Sequence, residues 1–169
     1  MPKFNIALTP KSKNNTIIQC AKNFSAIADQ YLLGEKSLPH VTLYQFTYEN
    51  DIERIWKKIC QSFGHYCINL KFEKFSCVTF DNKIFWASLL PDNCDSLIKM
   101  HSLVANGINK PAKGSYDPHM TLINTKNRNY EDLINKFSKT YTPIQDTFFL
   151  SLGKSDDVGQ FTELLYSCR

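Results

Sequence analysis

A four-residue pattern, histidine–hydrophobic–threonine–leucine, occurs twice in this chain and constrains its fold more than any other feature. The copies occupy residues 40–43 and 119–122; each follows a proline and runs into an apolar segment typical of a β-strand. Because side chains alternate faces along a strand, the histidine and threonine of each copy share one face. Each copy therefore predicts a strand with one chemically active face and one face that packs in the core.

The elements predicted around the two copies follow the same order. Each half reads strand, long helix, motif strand, helix, strand, over about 3–80 and about 84–167. Two such halves related by a pseudo-twofold axis would bring the motif strands together. We therefore expect a single α+β domain over residues 1–169. Its two antiparallel sheets should line a central cleft, with the helices outside.

Hydrophobic periodicity predicts the individual elements. The first helix is expected over about 15–33 and ends at Gly34, and the second is capped by Asn50 or Asp51. The aromatic and β-branched stretch 66–80 is either one long strand or two short ones. Further helices are expected over about 92–108 and after Asn129, and further strands over 3–9, 40–47, 84–90, 144–152 and 161–167.

Composition excludes several classes of protein. The chain has 169 residues, of which 43% are hydrophobic and 21% charged, as in ordinary globular domains. A net charge of +4 is too small to indicate extended nucleic-acid binding. The six cysteines show no zinc-like spacing, and we find neither a secretory signal nor an apolar run of membrane-spanning length. We therefore expect a cytoplasmic protein with reduced cysteines and no membrane contact.

The paired motifs suggest acid–base chemistry on a phosphodiester. Histidine populates both its neutral and its protonated form near neutral pH, so two imidazoles can act as base and acid. The neighbouring threonine hydroxyls can donate to non-bridging phosphate oxygens. No carboxylate cluster accompanies the motifs, so a metal site is the weaker interpretation and we expect no cofactor. A single histidine is more often structural or exposed, as we expect for His65 and His101, but the matched pair favours catalysis.

At these residues the chain resembles the two-histidine phosphoesterase superfamily, whose signature is a pair of His-x-Thr-hydrophobic motifs. This superfamily includes 2′-5′ RNA ligase proteins, cyclic nucleotide phosphodiesterases and nucleases that trim RNA ends. Residues 153–162 also resemble the terminal hairpin of bacterial and viral members. The resemblance implies a bilobal fold and a metal-independent reaction, with His40 and His119 catalytic and Thr42 and Thr121 binding phosphate. By resemblance alone, His119 is preferred as the base and His40 as the acid.

Six further residues are candidate substrate contacts. Tyr44 lies two positions after Thr42, so regular alternation puts it on the same face as the motif residues. There it either stacks on a base or packs in the core. Three residues lie in the loop before the second motif, which either closes over a nucleotide or stays solvated. Two aromatic residues on other strands either stack on a base or pack. These five are Lys110, Lys113, Tyr116, Trp86 and Phe161.

These features predict a metal-independent phosphodiesterase, and hence a hydrolase, that acts as a monomer without a protein partner. Its substrate would be a small nucleotide, a cyclic oligonucleotide or an RNA terminus, cleaved at a 2′,3′-cyclic phosphate, a 2′-5′ linkage or a cyclic messenger. Two alternatives stay open. The same site can join RNA or trim its ends, or the protein can bind and sequester a nucleotide without turnover. A pure binding protein has no need of two titratable histidines, which argues against the last alternative.

Overall fold

The computed structural model describes residues 1–64, 66–112 and 114–169. The described residues form four helices and eight strands, in agreement with the predicted α+β class. In chain order they are β1 (Lys3–Pro10), α1 (Asn14–Lys22), β2 (Tyr31–Leu32), β3 (Val41–Thr47), α2 (Ile52–Phe63), β4 (Cys67–Thr79), β5 (Phe85–Pro91), α3 (Cys94–Gly107), β6 (Met120–Thr125), α4 (Tyr130–Ser138), β7 (Ile144–Ser155) and β8 (Phe161–Ser167).

The eight described strands form one antiparallel sheet with two wings. Its order is β2-β6-β5-β4-β7-β1-β3, and β8 pairs with β7. The long strand β4 joins the wings, since residues 67–72 pair with β7 and residues 72–79 pair with β5. The two predicted antiparallel sheets are thus the two wings of one hydrogen-bonded sheet.

The strand order contains an internal twofold relation. Outward from the β4–β7 contact, one wing reads β4, β5, β6 and the other reads β7, β1, β3. The first half of the chain runs β1, α1, β3, α2, β4, and the second half runs β5, α3, β6, α4, β7. The predicted repeats at about 3–80 and 84–167 therefore exchange their last strands, because β4 lies in the wing of the second half and β7 in that of the first.

The hydrophobic core lies between the sheet and its helices. Helix α3 contacts β3, α1 contacts β6 and α4 contacts β4. The apolar residues of the motif strands, Val41, Leu43, Met120 and Leu122, are each at most 1% exposed. Burying a side chain of this size contributes about 1.5–3 kcal/mol relative to exposure. This burial fixes which face of each motif strand is left for the cleft.

The first helix is shorter than predicted. It ends at Lys22, where the Nδ2 of Asn23 donates to the carbonyls of Gln19 and Cys20 and thereby caps the helix. The chain continues in tight turns, and Tyr31–Leu32 then pairs with β6 as β2. The apolar spacing over 15–33 correctly identified buried side chains but not the conformation that buries them.

Other elements agree closely with the prediction. The stretch 66–80 forms one strand, β4, with an irregularity in its pairing between Phe72 and Lys74. The side chain of Asp51 accepts a hydrogen bond from the backbone N–H of Glu53, as expected of a helix cap. Strand β7 extends to Ser155, beyond the predicted end at 152. In the described part of the chain, no helix has the length and apolar character needed to cross a bilayer.

Candidate active site

The two motifs meet at one cleft between the wings. The cleft has a volume of about 270 Å³, and His40, Thr42, His119 and Thr121 all line it. Strand β3 lies at the edge of one wing, and β6 lies in the other wing between β2 and β5. The fold therefore brings together two imidazoles and two hydroxyls from distant parts of the sequence.

Both motif histidines make the same contact with the backbone. The Nδ1 of His40 lies 2.6 Å from the carbonyl oxygen of Leu38, and the Nδ1 of His119 lies 2.8 Å from that of Asp117. A carbonyl oxygen can only accept, so Nδ1 carries the hydrogen in both rings. Nε2 is then the ring nitrogen available for proton transfer. A proline separates the accepting carbonyl from the histidine in both motifs. Proline restricts the backbone at this point, which accounts for the recurrence of the contact.

The surroundings of the two imidazoles differ. The ring of His40 is half-buried, with its centroid 5.4 Å from that of Phe161, whereas His119 is exposed. Burial lowers the pKa of His40 from about 6.5 to about 4, and a charge on His119 lowers it further, while the Leu38 carbonyl opposes the shift. His40 is therefore neutral near pH 7.

Each motif strand carries a β-bulge directly after its threonine. Along β3 the pairing with β1 passes from Thr42 to Tyr44 and skips one residue. Along β6 the pairing with β5 passes from Thr121 to Ile123 and again skips one residue. An extra residue in a strand reverses the face on which all later side chains lie. The two halves thus share the bulge as well as the motif.

The bulge on β3 decides between the two places that the sequence allows for Tyr44. Strict alternation would put Tyr44 on the face of the motif residues, but Gln45 lines the cleft instead. Tyr44 is 7% exposed and stacks on His101 of α3 with a centroid distance of 5.4 Å. Its hydroxyl donates to the carbonyl of Pro111 over 2.9 Å. Tyr44 is therefore a core residue, the alternative that the sequence left open.

Trp86 is the one further candidate within the described residues that lines the cleft. Phe161 is fully buried, and its ring packs against His40, so it is closed to a substrate base. Lys110 is exposed and lines a neighbouring groove. Lys113 lies outside the described residues, as does His65.

Tyr116 connects the two motifs without entering the cleft. Its ring is nearly parallel to that of His101 at 4.4 Å, and its hydroxyl donates to the carbonyl oxygen of Thr42 over 2.7 Å. Burial raises the pKa of the Tyr116 phenol, so it stays a donor near neutral pH. His101 is 2% exposed, which agrees with the structural one of the two alternatives expected for it. The loop before the second motif is thereby tied to the strand of the first.

The polar lining of the cleft was largely missed from the sequence. Ser76 and Ser88 face each other across β4 and β5, where small polar residues interrupt apolar strands. That interruption was a usable signal. Residues 158–160 of the β7–β8 hairpin form another wall of the cleft. The hairpin is held to β3 by a hydrogen bond in which the Nε2 of Gln45 donates to the carbonyl of Gly159 over 2.5 Å. Asp117 and Gln160 complete the polar residues that line the cleft.

An exposed aromatic residue was also missed. Phe80 lines the cleft although 86% of its surface is accessible. Its ring meets Trp86 edge-on, with the centroids 5.3 Å apart. An aromatic side chain left in solvent at the wall of a polar cleft is a candidate surface for stacking a flat ligand.

Comparison with known proteins places the fold. A family model for the 2′-5′ RNA ligase superfamily matches residues 16–164. The crystal structure of E. coli LigT complexed with 3′-AMP is similar, with a TM-score of 0.61 and 16% identity over 98% of this chain and 96% of that one. Kluyveromyces marxianus Usb1 has a TM-score of 0.54 and 13% identity over 96% and 95% of the two chains. Its structure with uridine monophosphate has a TM-score of 0.55 and 14% identity over the same shares. A search of curated protein sequences found no match.

Proposed function

The chain belongs to the 2′-5′ RNA ligase superfamily, and from that premise we propose that it is a metal-independent phosphodiesterase acting on a nucleotide. One observation carries the proposal. His40, Thr42, His119 and Thr121 line a single cleft. In both imidazoles Nδ1 is engaged by the backbone, so that two Nε2 atoms serve one site.

In the proposed hydrolysis His40 is the base and His119 the acid. Family resemblance favours the opposite assignment, but burial keeps His40 neutral near pH 7 and therefore able to accept a proton. The Nε2 of His40 removes the proton from the attacking oxygen as that oxygen bonds to phosphorus. The Nε2–H of His119 donates its proton to the oxygen that leaves. The two imidazoles together carry one transferable proton both before and after the step, on His119 at the start and on His40 at the end.

The threonine hydroxyls stabilise the charge that develops on the phosphate. In this proposal Thr42 and Thr121 each donate to a non-bridging oxygen from opposite sides of the cleft. Hydrogen bonds to charged groups contribute about 1.5–3 kcal/mol each. The proton on His119 adds a positive charge beside the same oxygens. This arrangement needs only groups of the chain itself.

A nucleotide fits the remaining lining of the cleft. Trp86 and Phe80 provide aromatic surface beside the motif residues, and stacking of a base on such surface contributes about 1–3 kcal/mol. The volume of about 270 Å³ suits a small group around one phosphodiester better than a folded RNA. LigT and Usb1 have been crystallised with 3′-AMP and with uridine monophosphate, respectively, which supports a nucleotide ligand here.

A panel of phosphodiesters tests the proposal. It contains 2′,3′-cyclic mononucleotides, 2′-5′ and 3′-5′ dinucleotides and cyclic dinucleotides, incubated with excess EDTA and analysed by chromatography. We expect at least one to be hydrolysed by the wild type and none by His40→Ala or His119→Ala. Loss of turnover in EDTA that one divalent ion restores would contradict the metal-independent mechanism. Tight nucleotide binding without turnover on any member would favour the sequestering alternative.

RNA joining is the second candidate, because the matching family is described by that reaction. Ligation uses the same proton transfers with a different nucleophile: an RNA 5′-hydroxyl, in place of water, gives its proton to His40 as it attacks a 2′,3′-cyclic phosphate, and the 3′-oxygen of the ring leaves with a proton from His119. Incubation of RNA with a 2′,3′-cyclic phosphate end and RNA with a free 5′-hydroxyl distinguishes the reactions. A longer product with a 2′-5′ linkage supports joining, and opened phosphate ends alone support hydrolysis.

A further inference from the structure

Asn5, on β1, is a buried polar residue beside the proposed phosphate site. It has 0% exposure, and its Nδ2 lies 3.2 Å from the Oγ1 of Thr42. Its Oδ1 has no hydrogen-bond partner among the described residues. A buried polar atom without a partner lowers stability, and most such atoms in proteins are paired. Packing alone therefore does not account for an asparagine at this position.

The direction of the Asn5–Thr42 hydrogen bond determines where the threonine hydroxyl points. An amide N–H only donates, so the Oγ1 of Thr42 accepts from Asn5. In the opposite orientation of the amide, Oδ1 would face Thr42 and accept from its hydroxyl, whose hydrogen would then turn toward Asn5. Because one lone pair of Oγ1 is engaged, its own hydrogen turns away from Asn5. Thr42 lines the cleft, so that hydrogen is available to a ligand there.

The second motif is supported differently. Asn5 precedes by two positions the β1 residue that pairs with Thr42. On β5 the matching position, two before the partner of Thr121, is occupied by Trp86. An indole in that place lines the cleft with an aromatic surface instead. A buried amide behind the threonine is thus a feature of the first motif.

We propose that Asn5 is a positioning residue that fixes the Thr42 hydroxyl as a hydrogen-bond donor to a phosphate oxygen. The inference rests on the proposed function for the identity of the substrate. A donor held in this orientation before the ligand arrives needs no reorganisation during the reaction. The unpaired Oδ1 of Asn5 is then a loss of stability that accompanies a functional arrangement.

Two substitutions of similar size separate positioning from packing. Asn5→Leu removes the donor and the unpaired oxygen together. Asn5→Asp keeps the shape but presents only acceptors, so that the Thr42 hydroxyl donates to it and turns away from the phosphate. The control is Thr9→Val on the same strand. Thr9 is 4% exposed and hydrogen-bonded to Ser151, and it does not line the cleft.

Three quantities are measured for each variant: the melting temperature, the affinity for inorganic phosphate by isothermal titration, and kcat/KM on whichever phosphodiester the wild type cleaves. For Asn5→Leu we expect an unchanged or higher melting temperature. We also expect phosphate affinity and kcat/KM each to fall about threefold to thirtyfold. Asn5→Asp should lose more. Thr9→Val should lower the melting temperature and leave phosphate affinity unchanged.

A double-variant comparison identifies Thr42 as the residue through which Asn5 acts. In a Thr42→Val background, Asn5→Leu should cause no further loss of phosphate affinity. A full additional loss in that background would overturn the proposal. So would a lower melting temperature of Asn5→Leu with unchanged phosphate affinity, or a wild type that does not bind phosphate. If the variants change phosphate affinity as expected but the wild type cleaves no phosphodiester, the proposed function is overturned and the role of Asn5 is supported.

Discussion

The two motifs share their backbone and differ in what surrounds it. Both carry the same bulge after the threonine and the same contact from Nδ1 to the carbonyl two residues earlier. The first motif is enclosed, with Phe161 against His40 and Asn5 behind Thr42. The histidine of the second motif is exposed. The internal repeat therefore provides two matched imidazoles, and burial leaves that of His40 in its neutral form near pH 7.

Removing either imidazole should cause the largest loss. His40→Ala and His119→Ala each delete one proton-transfer group that the other cannot replace, so we expect kcat to fall about 10²–10⁴-fold in each. Steady-state rates with melting temperatures as the folding control check this. A folded variant of either kind with wild-type activity would show that the pair is not the catalytic unit.

The threonines should show a smaller and unequal loss. Thr42→Val and Thr121→Val keep the side-chain shape and remove one donor. We expect each to lose about 1.5–3 kcal/mol of transition-state stabilisation, which lowers kcat/KM roughly 10- to 150-fold. The loss should be greater for Thr42, because we propose that Asn5 orients its hydroxyl. The corresponding serine variants, which retain the hydroxyl, serve as controls. Equal losses at both positions would remove the asymmetry that we infer between the motifs.

The pH dependence of kcat/KM should reflect the burial of His40. The base must be neutral, and the pKa of His40 is lowered to about 4. Activity should therefore persist as the pH falls through 6.5 and decline only as it approaches about 4. An acid limb centred near 6.5 would mean that His40 titrates as an ordinary histidine.

The stability of the fold should show a weaker effect of the same group. Because the pKa of His40 is lower in the folded protein than in the unfolded chain, the unfolded chain binds more protons between about pH 6.5 and 4. This contribution is complete above pH 6.5 and is lost as the pH falls toward 4. The free energy of unfolding should therefore change with pH by less than about 1.4 kcal/mol per pH unit over this range. Denaturant unfolding of the wild type and of His40→Gln over this range measures it, and identical slopes would contradict it.

Regular patterns made much of the fold predictable. The apolar residues of the motif strands are buried as their alternation implies, and Asp51 caps α2 as its residue type suggests. The repeated order of elements also indicated that the motifs face one cleft, as they do. These features depend on local sequence or on the repeat, both of which can be read from one chain.

The misplaced residues depend on long-range pairing. The bulge after Thr42 has no glycine or other local signature, so alternation left Tyr44 a candidate for the cleft position that Gln45 occupies. Likewise Ser76 meets Ser88 only through the register of β4 against β5. The early end of α1 depends on β6, which offers Tyr31–Leu32 a strand partner. Such pairing is decided by tertiary structure and is not visible in local periodicity.

A substrate with an activated leaving group tests the division between the two motifs most directly. A p-nitrophenyl phosphodiester of a nucleotide needs no proton on its departing oxygen, so loss of the acid matters little. We expect His119→Ala to recover most of the wild-type rate on this substrate and His40→Ala to remain inactive. Recovery of His40→Ala with an inactive His119→Ala would reverse the assignment. No recovery in either variant would contradict acid catalysis by this pair.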